Sequence, residues 1–87
     1  MTNQKPGYHL RCIAKQPIGT VAKIREELEE LEDAIEQDCR IMALQELSDI
    51  VGAIRLYLAY EHPGLSLQDL VTMSDITARA FKNGARQ

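Results

Sequence analysis

Glu27 and Glu30, and again Glu46 and Asp49, are carboxylate pairs spaced by three residues on two stretches whose apolar periodicity is helical. Three residues is close to one helical turn, so each pair lies on one side of its helix. Eight of the thirteen acidic residues fall between Glu26 and Asp38, a density that usually marks a solvated face. Here the positions divide: Glu26, Glu27 and Glu30 share a side, whereas Glu29, Glu32, Asp33 and Glu36 spread around the outside. The second stretch contains only Glu46 and Asp49, set beside Leu44, Leu47, Ile50 and Val51, where a carboxylate without a partner is costly.

The two pairs lie at matching distances from the break between their helices. Counting from Asp38, Glu30 is eight residues back and Glu46 eight forward, so each sits roughly 12 Å from the turn at 1.5 Å of rise per residue. Antiparallel helices would therefore bring all four acids face to face. Four converging carboxylates raise one another's pKa, and a hard cation with oxygen ligands relieves the repulsion. Magnesium suits such a site because it keeps waters and leaves positions for phosphate oxygens, and manganese accepts similar ligands. The alternative from spacing is ion pairing with Lys23, Arg25, Arg40 or Arg55 on the same helices. Ser48 lies between two of the acids, but no histidine is near it in sequence to activate it as a nucleophile. His9 and His62 read as surface or capping residues, and Cys12 and Cys39 as reduced thiols without zinc-ligand spacing.

Three helices must position these side chains. Thr20 is an N-cap for a helix over about 21–37, with Val21, Ile24, Leu28, Leu31, Ala34 and Ile35 at three- and four-residue steps. After a polar break at Gln37 and Asp38, the series Ile41, Leu44, Leu47, Ile50, Val51, Ile54 and Leu58 predicts a helix over about 39–60, ended by His62-Pro63-Gly64. Ser66 and Asp69 have the form of a capping box for a third helix over about 66–82. Residues 1–19 form an irregular arm, with Tyr8 to Ile13 alternating loosely enough for a short strand, and residues 20–87 form the helical domain. The fold class is all-α, an antiparallel bundle of three main helices with an irregular N-terminal arm. Short connections favour antiparallel neighbours, and a chain of 87 residues buries so little surface that completion by oligomerisation is expected.

Composition excludes several classes of function. A net charge of -3 lacks the basic footprint of a duplex nucleic-acid binder. No run is long enough to span a membrane, and the N-terminus lacks the apolar core of a signal peptide, so a cytoplasmic location is expected.

The acidic spacing resembles that of the all-α nucleoside triphosphate pyrophosphohydrolases, the MazG-like superfamily that includes phosphoribosyl-ATP pyrophosphohydrolases and dimeric dUTPases. Their signature is EExxE followed by ExxD. Here Glu26-Glu27-Leu28-Glu29-Glu30 and Glu46-Leu47-Ser48-Asp49 match it, with fifteen residues between, and Lys82-Asn83-Gly84-Ala85-Arg86 is similar to the family's KNxxR ending. The likeness runs from about Lys23 to Arg86 and looks closest to short phage-type members, which implies the host cytoplasm if the chain is phage-encoded. The resemblance implies that Glu27, Glu30, Glu46 and Asp49 ligate Mg2+ or Mn2+, and that Glu26 or Glu27 orients or deprotonates the attacking water. It implies further that Lys82, Asn83 and Arg86 contact phosphates, in part across a subunit boundary, in a dimer or tetramer. Lys23 either reaches a phosphate or pairs with Glu27. The implied reaction converts an NTP or dNTP to the monophosphate and pyrophosphate. The chain lacks a full helix before EExxE, so residues 8–18 or another subunit would have to complete a base pocket, and Tyr57 or Tyr60 would stack on a base or simply pack. Its rivals are a non-catalytic helical interaction module and a nucleotide-sensing module.

Overall fold

The computed structural model describes residues 9–82, which form three helices and no strand: α1 (Val21–Glu36), α2 (Arg40–Glu61) and α3 (Leu67–Lys82). Asn83 and Arg86 lie outside the described residues.

Each helix boundary follows from local chemistry. Gly19 adopts φ +81°, a left-handed conformation open to glycine, and delivers Thr20, whose side chain accepts from the Lys23 N–H at 3.1 Å. At its other end α1 closes with a left-handed Asp38 (φ 54°), whose N–H donates to Ile35 O while that of Cys39 donates to Ala34 O. This is the Schellman pattern, with aspartate taking the usual glycine position. It reverses the chain and folds α2 back along α1. Pro63 and a left-handed Gly64 then turn the chain after α2, closed by the Leu65 N–H donating to His62 O at 3.1 Å. The capping box forms as the sequence predicts: Ser66 N–H donates to Asp69 Oδ2 at 2.7 Å, and Asp69 N–H to Ser66 Oγ at 3.3 Å.

The interior of one chain is small and largely polar. Ile13, Ala34, Ala53 and Leu58 are buried, but the largest side chains wholly removed from water are Glu46 and Asp33. α1 turns Glu26, Glu27, Glu30, Asp33 and Ala34 inward, and leaves the apolar Val21, Leu28 and Ile35 about half exposed or more. On α2, Ile41 is 81% and Leu44 68% exposed. α3 packs against α2 alone, and none of its residues is buried. One chain thus pairs α1 with α2 around polar groups and leaves its hydrocarbon stripes uncovered, at a cost of roughly 25 cal/mol for each Å² of apolar surface left in water.

The arm runs along α1 without forming a strand over 9–13, Tyr8 lying outside the described residues, and the N–H groups of Leu10 and Arg11 are taken by a carboxylate instead of a neighbouring strand. Leu10 N–H lies 2.9 Å and 3.0 Å from the two oxygens of Asp33, and Arg11 N–H donates to Asp33 Oδ2 at 2.8 Å. Farther along, Gln16 N–H donates to Glu26 Oε1 at 2.7 Å. Arg11 also pairs with Glu36 at 2.6 Å and Glu32 at 3.7 Å.

Candidate metal centre

The facing of α1 and α2 brings Glu27, Glu30, Glu46 and Asp49 together, so that one carboxylate oxygen from each lies within 4.8 Å of all the others. Glu27 and Glu30 are 8% exposed, Glu46 is 1% exposed, and Asp49 is half-buried. Among the described residues no lysine or arginine is in ion-pair range of Glu30, Glu46 or Asp49. The ion-pair alternative therefore does not account for three of the four. Arg25, Arg40 and Arg55 are exposed, and Lys23 alone reaches the cluster, 3.4 Å from Glu27.

Electrostatics record the crowding. Burial, together with the charges of Glu27 and Glu46, pushes the Glu30 carboxyl up to about 7. Burial likewise raises Glu46, with Asp49 and Glu27 adding to the effect. Glu27 Oε1 and Glu46 Oε1 are out of water with no hydrogen-bond partner. A buried, unsatisfied carboxylate oxygen costs free energy unless something completes it, and hard oxygen donors facing one another suit Mg2+ or Mn2+.

The remaining acids of α1 have other work. Glu26 is buried but committed: Lys23 Nζ is 3.1 Å from both its oxygens, and Gln16 N–H donates to it. Lys23, although part-buried, is held protonated by hydrogen bonds and charge from Glu26 and Glu27, which outweigh its desolvation. It pairs with both glutamates. Asp33, which the sequence reading set on the outside, is fully buried. Burial alone would raise its carboxyl; the N–H groups of Leu10 and Arg11 and the Gln37 amide outweigh that and hold it below the usual range. The spacing did contain the signal, since Glu26, Glu30 and Asp33 stand at i, i+4 and i+7 on one face.

His9 corrects a second reading. It is neither a surface nor a capping residue: it is 8% exposed, with Nε2 3.7 Å from Glu30 Oε1 and Nδ1 3.6 Å from Asp33 Oδ1. No short-range pattern could have found it, because the partners are more than twenty residues away and the arm's path depends on Asp33.

Of the other expected contacts, Lys82 ends α3 and is exposed, and α3 does not pack on α1; no ion pair joins Lys82 to the four acids among the described residues. The ring of Tyr57 lies 5.8 Å from that of His62, and Tyr60 lies over Gly19 where a Cβ would stand. Both tyrosines have packing partners within the chain. Cys12 and Cys39 are free thiols.

No protein-family model, curated protein or solved structure matches this chain. Its chemistry is therefore read from the side chains. No helix among the described residues is long and apolar enough to cross a membrane.

Proposed function

We propose that this chain is a divalent-metal-dependent nucleotide pyrophosphohydrolase of the MazG-like kind, which converts an NTP or dNTP to the monophosphate and pyrophosphate. One observation carries the reading: four carboxylates from two helices converge within 4.8 Å, and two of them hold buried oxygens that no protein group satisfies. A domain this small does not bury Glu46, one of its two largest wholly enclosed side chains, with an unpaired carboxylate oxygen for stability, since such a group weakens a fold. Departures of this kind from good packing belong to functional sites.

Glu27, Glu30, Glu46 and Asp49 would hold Mg2+ or Mn2+, which offsets charge on phosphate oxygens and lowers the pKa of bound water. Glu27 fits the water-orienting role better than Glu26, because Glu26 is occupied by Lys23 and the arm. Lys23, at 3.4 Å from Glu27, is positioned to exchange that pairing for a phosphate oxygen when nucleotide enters. Lys82, with Asn83 and Arg86, would reach phosphates of a site on another subunit. The uncovered faces of Ile41 and Leu44 on α2 support assembly as a homo-oligomer, dimer or tetramer.

The test is pyrophosphate release over the canonical and several modified nucleotides with Mg2+ or Mn2+. The proposal expects pyrophosphate, not orthophosphate, from at least one of them. Tight nucleotide binding without turnover would instead favour a sensing module. Absence of both nucleotide and metal binding would favour a non-catalytic interaction module.

A further inference from the structure

The oxygen cluster has a nitrogen neighbour. His9, Glu30 and Glu46 are all buried, and one donor atom from each lies within 4.8 Å of the other two. Two of these residues also belong to the four-carboxylate group, so the imidazole is a fifth donor delivered by the arm to the edge of the same centre.

Three features mark His9 as more than a packed histidine. Its Nε2 stands 3.7 Å from Glu30 Oε1, wider than a hydrogen bond. Neighbouring donors about 2.1–2.2 Å from a common octahedral ion lie roughly 3.0 Å apart, so that pair needs to close by about 0.7 Å. On the opposite side of the ring, Nδ1 faces Asp33 Oδ1 at 3.6 Å, and that carboxylate is fixed by Leu10, Arg11 and Gln37. That separation is also wider than a hydrogen bond, and closing it by a few tenths of an ångström would give the N–H to carboxylate contact that orients the other ring nitrogen toward a metal. Independently, Glu46 is 1% exposed and its Oε1 has no hydrogen-bond partner.

We propose that His9, Glu30 and Glu46 form a mixed nitrogen–oxygen position for a borderline divalent transition ion such as Mn2+ or Co2+, with Asp33 as the outer carboxylate that aims His9. Imidazole is a good ligand for Co2+, is accepted by Mn2+ beside its oxygen donors, and is a poor ligand for Mg2+, which takes oxygen donors and water. The chain therefore discriminates between the two classes of ion through a residue of its arm. The inference rests on reading the acidic cluster as a metal centre, and not on pyrophosphate chemistry.

Electron spin-echo spectroscopy of Mn2+ bound to the full chain tests it directly, because a coordinated imidazole imposes nitrogen modulation on the manganese signal. The proposal expects that modulation in the wild type and its loss in His9→Gln. It also expects Co2+ affinity to fall about tenfold or more in His9→Gln while Mg2+ affinity is little changed. Bound Mn2+ without nitrogen modulation in the wild type overturns the His9 assignment and leaves the carboxylate centre standing. An equal loss of Co2+ and Mg2+ affinity makes His9 a merely structural residue. No stoichiometric binding of any divalent ion removes the metal centre and this inference together. Should His9→Gln fail to fold, the wild-type spectrum alone decides.

Discussion

Replacing Glu30 by glutamine should strengthen the metal-free protein and weaken its hold on metal, two effects that ordinary packing residues do not separate. The Glu30 carboxyl titrates at about 7 against an ordinary value of 4.5. Folding therefore holds a proton that the unfolded chain releases, and stability falls as pH rises from 4.5 through about 7, remaining lower above it. At about 1.4 kcal/mol per pH unit the shift corresponds to roughly 3 kcal/mol. Solvent screening at the open side of the cluster reduces this to about 1–2 kcal/mol. Glu30→Gln removes the ionisable group but keeps the shape and the hydrogen-bonding end. In chelator-treated protein at pH 8 the variant should melt several degrees above wild type, at roughly 4–8 °C per kcal/mol for a domain of this size. At pH 4.5 the two should coincide. Magnesium affinity, measured by calorimetry at pH 8, should drop at least about tenfold, a loss of roughly 1.4 kcal/mol. A Glu30→Gln protein equally destabilised at both pH values, or one that binds magnesium as wild type does, would refute this reasoning.

Further expectations follow from single contacts. Asp33→Ala strands the N–H groups of Leu10 and Arg11 and should cost about 2–3 kcal/mol in urea unfolding, with the arm becoming protease-sensitive. Because the Asp33 carboxyl is held below 3.8, its contribution is present above that pH and is lost as pH falls further, so the arm's protection should fade only in strong acid. Gly19→Ala forces a side chain into φ +81° and against Tyr60, and should lower stability by about 1 kcal/mol or more. Ser66→Ala removes half of a reciprocal cap and should cost about 1 kcal/mol, read as loss of helix in α3 by circular dichroism. Leu44, 68% exposed, should tolerate Glu in the single-chain fold while shifting the assembly toward monomer in light scattering.

Much of this architecture was legible from residue spacing. The helix starts at Thr20 and Ser66, the stop at Pro63, and the convergence of Glu27 and Glu30 with Glu46 and Asp49 all follow from local chemistry and a 3.6-residue period. Spacing put Glu26, Glu27 and Glu30 on one side of α1, and that side is buried, while Val21, Leu28 and Ile35 stay about half exposed or more. Spacing misjudged Asp33, since a carboxylate at that position becomes favourable only when Leu10 and Arg11 supply N–H donors. His9 was beyond reach, because its site exists only after the arm docks. The acidic run divides much as its spacing indicates, with Glu29, Glu32 and Glu36 exposed, and its members serve arm anchoring, pairing with Arg11, and the cluster itself.

The claim underlying all of this is that a divalent ion completes the buried oxygens of Glu27 and Glu46. Calorimetric titration of the chelator-stripped protein with Mn2+, alongside Glu46→Gln, addresses it most directly. Saturable, stoichiometric binding that Glu46→Gln weakens at least about tenfold is the predicted result. Weak, non-saturating heats identical in the two proteins would contradict it.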